Sequence, residues 1–238
     1  MNASLRILND WVPDLDITPD MVMHGQGADP EIIRRRNPKL YEKAVQAVQV
    51  GVPMLQPFVW IRSSFVTASD NQRILLADGY SLIGNGIVRS LGKAEIILLG
   101  VYTIGNQLEV FGKGIWESDP LLSLALDGLG TIAVDQLSAR TCNMIRGYYS
   151  QNDNLGFFHM SPGGLNWPLE TGQLQIFNYL NPPPDKIRIL PEGQMVPRKS
   201  ISMAMGIGKD IKVNGRACDS CSMKDHCLYQ SRRSISYE

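Results

Sequence analysis

A chain of 238 residues, 44% of them hydrophobic, carries enough apolar material for one substantial core or two small ones. Lys+Arg and Asp+Glu balance at 23 each, so no basic field exists to hold a phosphate backbone, and nucleic acid is excluded as the main partner. No apolar run approaches the ~20 residues of a membrane span, and the stretch from Met1 to Arg6 lacks the apolar core of a signal peptide. These readings exclude a membrane partner and place the protein in the cytoplasm.

Residues 1–28 are interrupted by Pro13, Pro19, Gly25 and Gly27 and read as a loosely attached N-terminal arm. Asp29-Pro30 is a cap followed by proline at the first helical position. The helix it opens runs to about Val50, with Ile33, Leu40, Ala44, Ala47 and Val48 on its inner face and a break near Asn37-Pro38. Residues 58–66 are rich in β-formers and predict a strand, and 73–76 a second. From Ser81 to Gly92, Ile83, Ile87, Val88 and Leu91 recur at helical spacing. The continuous apolar run 94–101 predicts a buried central strand.

The strongest helical signal follows. Ser118-Asp119-Pro120 supplies a cap and an N-terminal proline, and Leu122, Leu126, Leu129, Ala133, Leu137 and Met144 recur on one face as far as Tyr149. Unbroken, that helix would be ~45 Å long at ~1.5 Å per residue. Gly128 and Gly130 lie inside it, which suits close approach by another element. A short strand at 155–158 precedes the Ser161-Pro162-Gly163-Gly164 turn; residues 169–180 form a helix stopped by Pro182-Pro183-Pro184; residues 186–190 and 200–207 form strands. In the last of these, Ile201, Met203, Met205 and Ile207 alternate with Ser202, Ala204 and Gly206, one large face and one small. The expected fold is α+β: a twisted, mainly antiparallel sheet with packed helices over residues 29–208, followed by a cysteine-rich tail over 209–238.

Cys218, Cys221 and Cys227 form C-x2-C-x5-C. Two thiolates one tight turn apart, with a third close by, suit an iron–sulfur cluster or Zn²⁺. The fourth ligand is open between His226, Cys142 and an external group.

With these residues in view, the chain from about Phe58 to Gly208 resembles the C-terminal activation domain of cobalamin-dependent methionine synthase, and more closely the free-standing bacterial proteins similar to that domain. The resemblance is carried by Ala125-Leu126-Asp127 near the start of the long helix, by Ser161-Pro162-Gly163 with Trp167-Pro168 leading into a helix, and by Met195-Val196-Pro197-Arg198-Lys199-Ser200-Ile201-Ser202. The free-standing relatives commonly end in a cysteine segment that Cys218, Cys221 and Cys227 match. What the resemblance implies is rescue of a corrinoid cofactor: docking over a corrin supplied by a cobalamin-dependent methyltransferase partner, binding S-adenosylmethionine, and supporting reduction of Co(II) with an electron donor. The chain shows no D-x-H-x-x-G pattern around its three histidines, so the cobalamin would come with the partner.

The family's adenosylmethionine loop has the form Arg-x-x-Pro-Gly-Tyr. Here His159 stands at the arginine and Gly164 at the tyrosine, so the turn is kept while the bidentate fork is not. The resemblance implies a ligand- or corrin-facing surface of His159, Ser161, Pro162, Gly163, Gly164 and Trp167, with Arg198 and Lys199 toward corrin side chains or an acidic partner face. Ser200 and Ser202 sit on the small face of the last strand, where a flat cofactor could approach, and Asp135 offers an acid from the long helix. The alternative is a binding module stabilised by metal, with no redox or catalytic role.

Overall fold

The computed structural model describes residues 11–149 and 155–211 and the backbone of 215–216. Three helices open it: α1 (Pro19–Gly25), α2 (Pro30–Arg36) and α3 (Pro38–Gly51). Each starts on a proline, whose missing N–H costs nothing in the first turn. Thr18 and Asp29 cap the first two through their side-chain oxygens. The interruption expected at Asn37-Pro38 is a full break: Asn37 leaves helical geometry at φ −145° and Pro38 begins a new helix.

Residues 17–25 are not a loose arm. Ile17, Val22 and Met23 are buried in the main core. Asp20 joins the three helices, accepting from Tyr41 Oη and Arg34 Nη2, each at 2.6 Å. The Tyr41 hydroxyl, with Arg34 adding to it, holds the Asp20 carboxyl below its ordinary value against the opposing effect of burial.

A 3-10 turn (Val52–Met54) leads into the sheet strands β1 (Phe58–Ser69), β2 (Arg73–Leu76) and β3 (Ser81–Ile83). Helix α4 (Asn85–Leu91) begins beyond Gly84 at φ +139°. The apolar spacing through 81–92 therefore spans two elements, since Ile83 lies on a strand and faces solvent. Next come β4 (Ile96–Thr103), α5 (Gln107–Ile115) and the 30-residue α6 (Pro120–Tyr149). The chain continues with β5 (Gly156–Met160), α7 (Leu169–Leu180), β6 (Arg188–Ile189), β7 (Met195–Val196), β8 (Ser200–Gly208) and β9 (Gly215–Arg216).

The main sheet runs β3-β2-β1-β4-β8-β5-β9; its described pairs are antiparallel except β5 with β9, and β6 pairs with β7 in a small ribbon. The fold is α+β, as the sequence predicted. Strand β4 is central and buried almost throughout, which explains its unbroken apolar run.

The alternation along β4 and β8 sorts the molecule into three layers. Leu98, Tyr102, Met203, Met205 and Ile207 face α1, α3, α5 and α6. Ile97, Leu99, Val101 and Ala204 face α4 and α7. Gly206 on the second face sits directly under Leu91 and Ala94, where a side chain would collide. Among the described residues no helix is long and apolar enough to cross a membrane.

Candidate functional site

Two loops meet at one end of the sheet. Strand β5 ends at Met160 opposite Ala204, so the turn after it leaves the sheet just short of the start of β8 at Ser200. The turn is braced from below. Gly163 N–H donates to Trp167 C=O at 2.7 Å, Gly164 N–H to Ser161 C=O at 3.2 Å, and Trp167 N–H to Gly164 C=O at 3.0 Å. Gly163 takes φ +91°, and Leu165 and Asn166 follow at +50° and +61°. Left-handed backbone at two successive side-chain-bearing residues is costly and persists only when the surroundings enforce it. Gly86 supplies that enforcement: its bare Cα lies against the carbonyls of Leu165 and Asn166.

The second loop is fixed to α6. Lys199 Nζ lies 2.8 Å from Asp127 Oδ1 and donates to Thr131 Oγ1 at 2.8 Å. Its stem crosses bare Gly130, where a Cβ would stand 3.3 Å from Lys199 Cγ. The Val196–Pro197 bond is cis, and Ser200 Oγ donates to Pro197 C=O at 2.6 Å. Further along α6, buried Cys142 lies with its Sγ 3.8 Å from Met203 Sδ. Helix α6 thus runs the same way as β8, from Lys199 toward Met203. Asp135 is half-exposed one turn beyond Thr131, on the stripe Asp127–Thr131–Asp135 above this end of the sheet.

The sequence-predicted residues divide accordingly. Ser161, Gly163, Gly164 and Arg198 are exposed, and His159, Lys199, Ser200 and Asp135 are half-buried. His159 shares a strand face with Phe157, toward α6, opposite Met205. Pro162 is buried and wedges against Gly172 of α7.

Two residues do not face a ligand. Trp167 is 1% exposed and packs between Gly84 and Gly172, so it anchors the turn instead of touching a corrin edge. Ser202 is 4% exposed, because the small face of β8 is covered by the α4 and α7 layer; no flat cofactor reaches it. Cys218, Cys221 and Cys227 lie outside the described residues. Among those residues no group of three or more His, Cys, Asp or Glu could hold a metal ion.

Sequence reasoning missed a groove beside the second loop. Leu108, Glu109, Gly112 and Lys113 of α5, Ser123, Leu126 and Asp127 of α6, and Arg198 and Lys199 line about 220 Å³. Helix α5 itself went unread: two glycines interrupt it and no side chain caps it, so neither start signal nor period was strong. The Asp127–Thr131 spacing on one helix face was the available signal for the Lys199 anchor.

With this geometry established, the chain can be set beside known proteins. No family model matches it. No curated protein sequence matches it. Among solved structures it is similar to the MetH reactivation domain, whose crystal structure was determined bound to AdoHcy; the TM-score is 0.63 at 12% identity, covering 98% of this chain and 90% of that one. The two share a fold.

Proposed function

We propose that this protein is an accessory factor that docks on a cobalamin-carrying methyltransferase or corrinoid protein and supports its reductive reactivation. The observation that carries this reading is the likeness to the MetH reactivation domain across nearly the whole chain. The site supports it by setting an exposed Ser161–Gly164 turn on a strand end beside the anchored 197–200 segment. Cobalamin methyltransferases pass through Co(I), and loss of one electron to give Co(II) stalls them. The chain's own part is to orient and expose the corrin of its partner while a reductant returns that electron.

For S-adenosylmethionine, the site offers the exposed turn at Gly163 and Gly164 and, from α6, the carboxylate of Asp135. His159 stands in place of a bidentate arginine, so a carboxylate would be held by weaker contacts. The tail cysteines Cys218, Cys221 and Cys227 are proposed as the metal-holding segment.

The test mixes the full chain and a reductant with a corrinoid protein in the Co(II) state and follows the corrin absorption spectrum. Faster loss of the Co(II) spectrum is expected. An unchanged spectrum, with and without S-adenosylmethionine, sinks the proposal. Metal content separates the alternative: labile sulfide with broad visible absorbance fits electron relay, whereas colourless zinc fits a binding module ordered by metal.

A further inference from the structure

The α5–α6 hairpin is unusually apolar on its outside. Eleven large hydrophobic residues are exposed among the described residues, and four of them, Val110, Trp116, Leu121 and Leu124, fall between positions 110 and 124. Scattered exposed hydrophobic residues are ordinary, but of these four Trp116 and Leu124 stand at helical spacing from residues that line the groove. Helical spacing makes the two features one. Glu109, Gly112 and Lys113 line the groove, and Trp116, 51% exposed, continues that stripe of α5. Leu124 lies one turn before Asp127, on the opposite rim.

The charges around the groove are nearly all spent internally. Lys113 pairs with Glu109 at 2.8 Å, and Lys199 pairs with Asp127 at 2.8 Å. Arg198 also lines the groove, is exposed, and makes no ion pair among the described residues. A ligand that completes this surface therefore brings a carboxylate to Arg198 and apolar groups to Trp116, Leu124 and the Leu108–Leu126 floor.

The geometry points to the α5–α6 groove as the docking site for an acidic amphipathic helix of the cobalamin-carrying partner, which rests on the function proposed above. A ridge of side chains at i, i+3, i+4 and i+7 fits a groove between two helices, and tryptophan and arginine are among the residues enriched where binding energy concentrates. The groove shares Lys199 with the loop cluster at the sheet end, so a partner held here is presented to that cluster.

Two titrations test the surface. In the first, a synthetic amphipathic peptide with leucines at i, i+3, i+4 and i+7 and glutamates flanking them is titrated into the full chain by calorimetry, against the same peptide with lysine at every glutamate. The acidic peptide should bind at least about tenfold more tightly. Arg198→Glu should abolish or reverse that preference while leaving the thermal midpoint unchanged, and Trp116→Ala should weaken both peptides. Equal binding of the two peptides, or no effect of Arg198→Glu, overturns the proposal. So does a self-association of the free chain that Trp116→Ala abolishes, which would give the groove to a second copy. The second titration uses a corrinoid protein. A complex that survives both substitutions sinks this surface alone, whereas a wild-type chain that forms no complex sinks the proposed function and with it the identity of the partner.

Discussion

At the scale of single residues, helix α6 contains two glycines with opposite prospects. A Cβ at Gly128 would lie 2.6 Å from Gln26 Cγ and 2.9 Å from the Val22 carbonyl oxygen, and backbone cannot yield as a side-chain tip can. Gly147 has nothing within 4 Å. Gly128→Ala should therefore destabilise by about 1–3 kcal/mol despite the better helix propensity of alanine. Gly147→Ala should stabilise by about 0.4–1 kcal/mol through the unfolded chain. Chemical denaturation of the pair reads both; equal shifts would mean that α1 does not press on α6. Lys199 belongs to the same scale. Its ion pair with exposed Asp127 contributes little, and the larger consequence of Lys199→Ala is release of the loop that carries Arg198.

The element scale is where sequence and structure part most clearly. Strands β1, β4 and β8 and helices α6 and α7 were legible because burial on one or both faces imposes a strict period. Helix α1 was not, since Pro19 and Gly25 bracket only seven residues, too few for a period to emerge. Its burial comes from fit: Gly25 comes against the Gly128 carbonyl, so the glycines of α6 did mark a close approach, but nothing in the sequence named α1 as the element that makes it. Met23 is 2% exposed in that seam. Met23→Ala should cost about 2–4 kcal/mol by denaturant unfolding; a loose arm would give no change. The site was legible in the same uneven way. The turn at 161–164 and the 197–202 segment show themselves by proline, glycine and serine, whereas the burial of Trp167 and Ser202 depends on a helix layer that no local pattern reveals.

At the scale of the whole molecule, the α7 layer is clamped to the sheet by polar ties as well as by the apolar packing of Ile176, Phe177 and Leu180. Trp60 Nε1 donates to Leu180 C=O at 3.0 Å and Tyr80 Oη to Gln175 C=O at 2.7 Å. Arg62 stands 3.1 Å from Asp78 Oδ2 and 4.5 Å from the centre of the Tyr179 ring, while Tyr179 Oη donates to Asp78 Oδ2 at 2.9 Å. Burial, and then the Asp78 carboxylate, push the Tyr179 phenol up to about 12. A group whose folded pKa is raised stabilises the fold fully below its unfolded pKa and loses that contribution as pH rises through the folded value. The clamp should therefore weaken between about pH 10 and 12, by roughly 1–2 kcal/mol after allowance for solvent screening. Tyr179→Phe should flatten that part of the stability profile; an unchanged alkaline slope would place the titration elsewhere.

The brace beneath the 161–167 turn has one more consequence. Everything that fixes the turn, from the Pro162–Gly172–Trp167 wedge to the Gly86 contact, lies on its inner side. On its outer side Gly164 has ordinary backbone geometry and only the Ser161 carbonyl near its missing Cβ, at 3.5 Å. The mount and the fitting are thus separately mutable. Residue 164 accepts a side chain at little cost to folding, so the chemistry this loop presents can be exchanged without renegotiating the architecture that holds it.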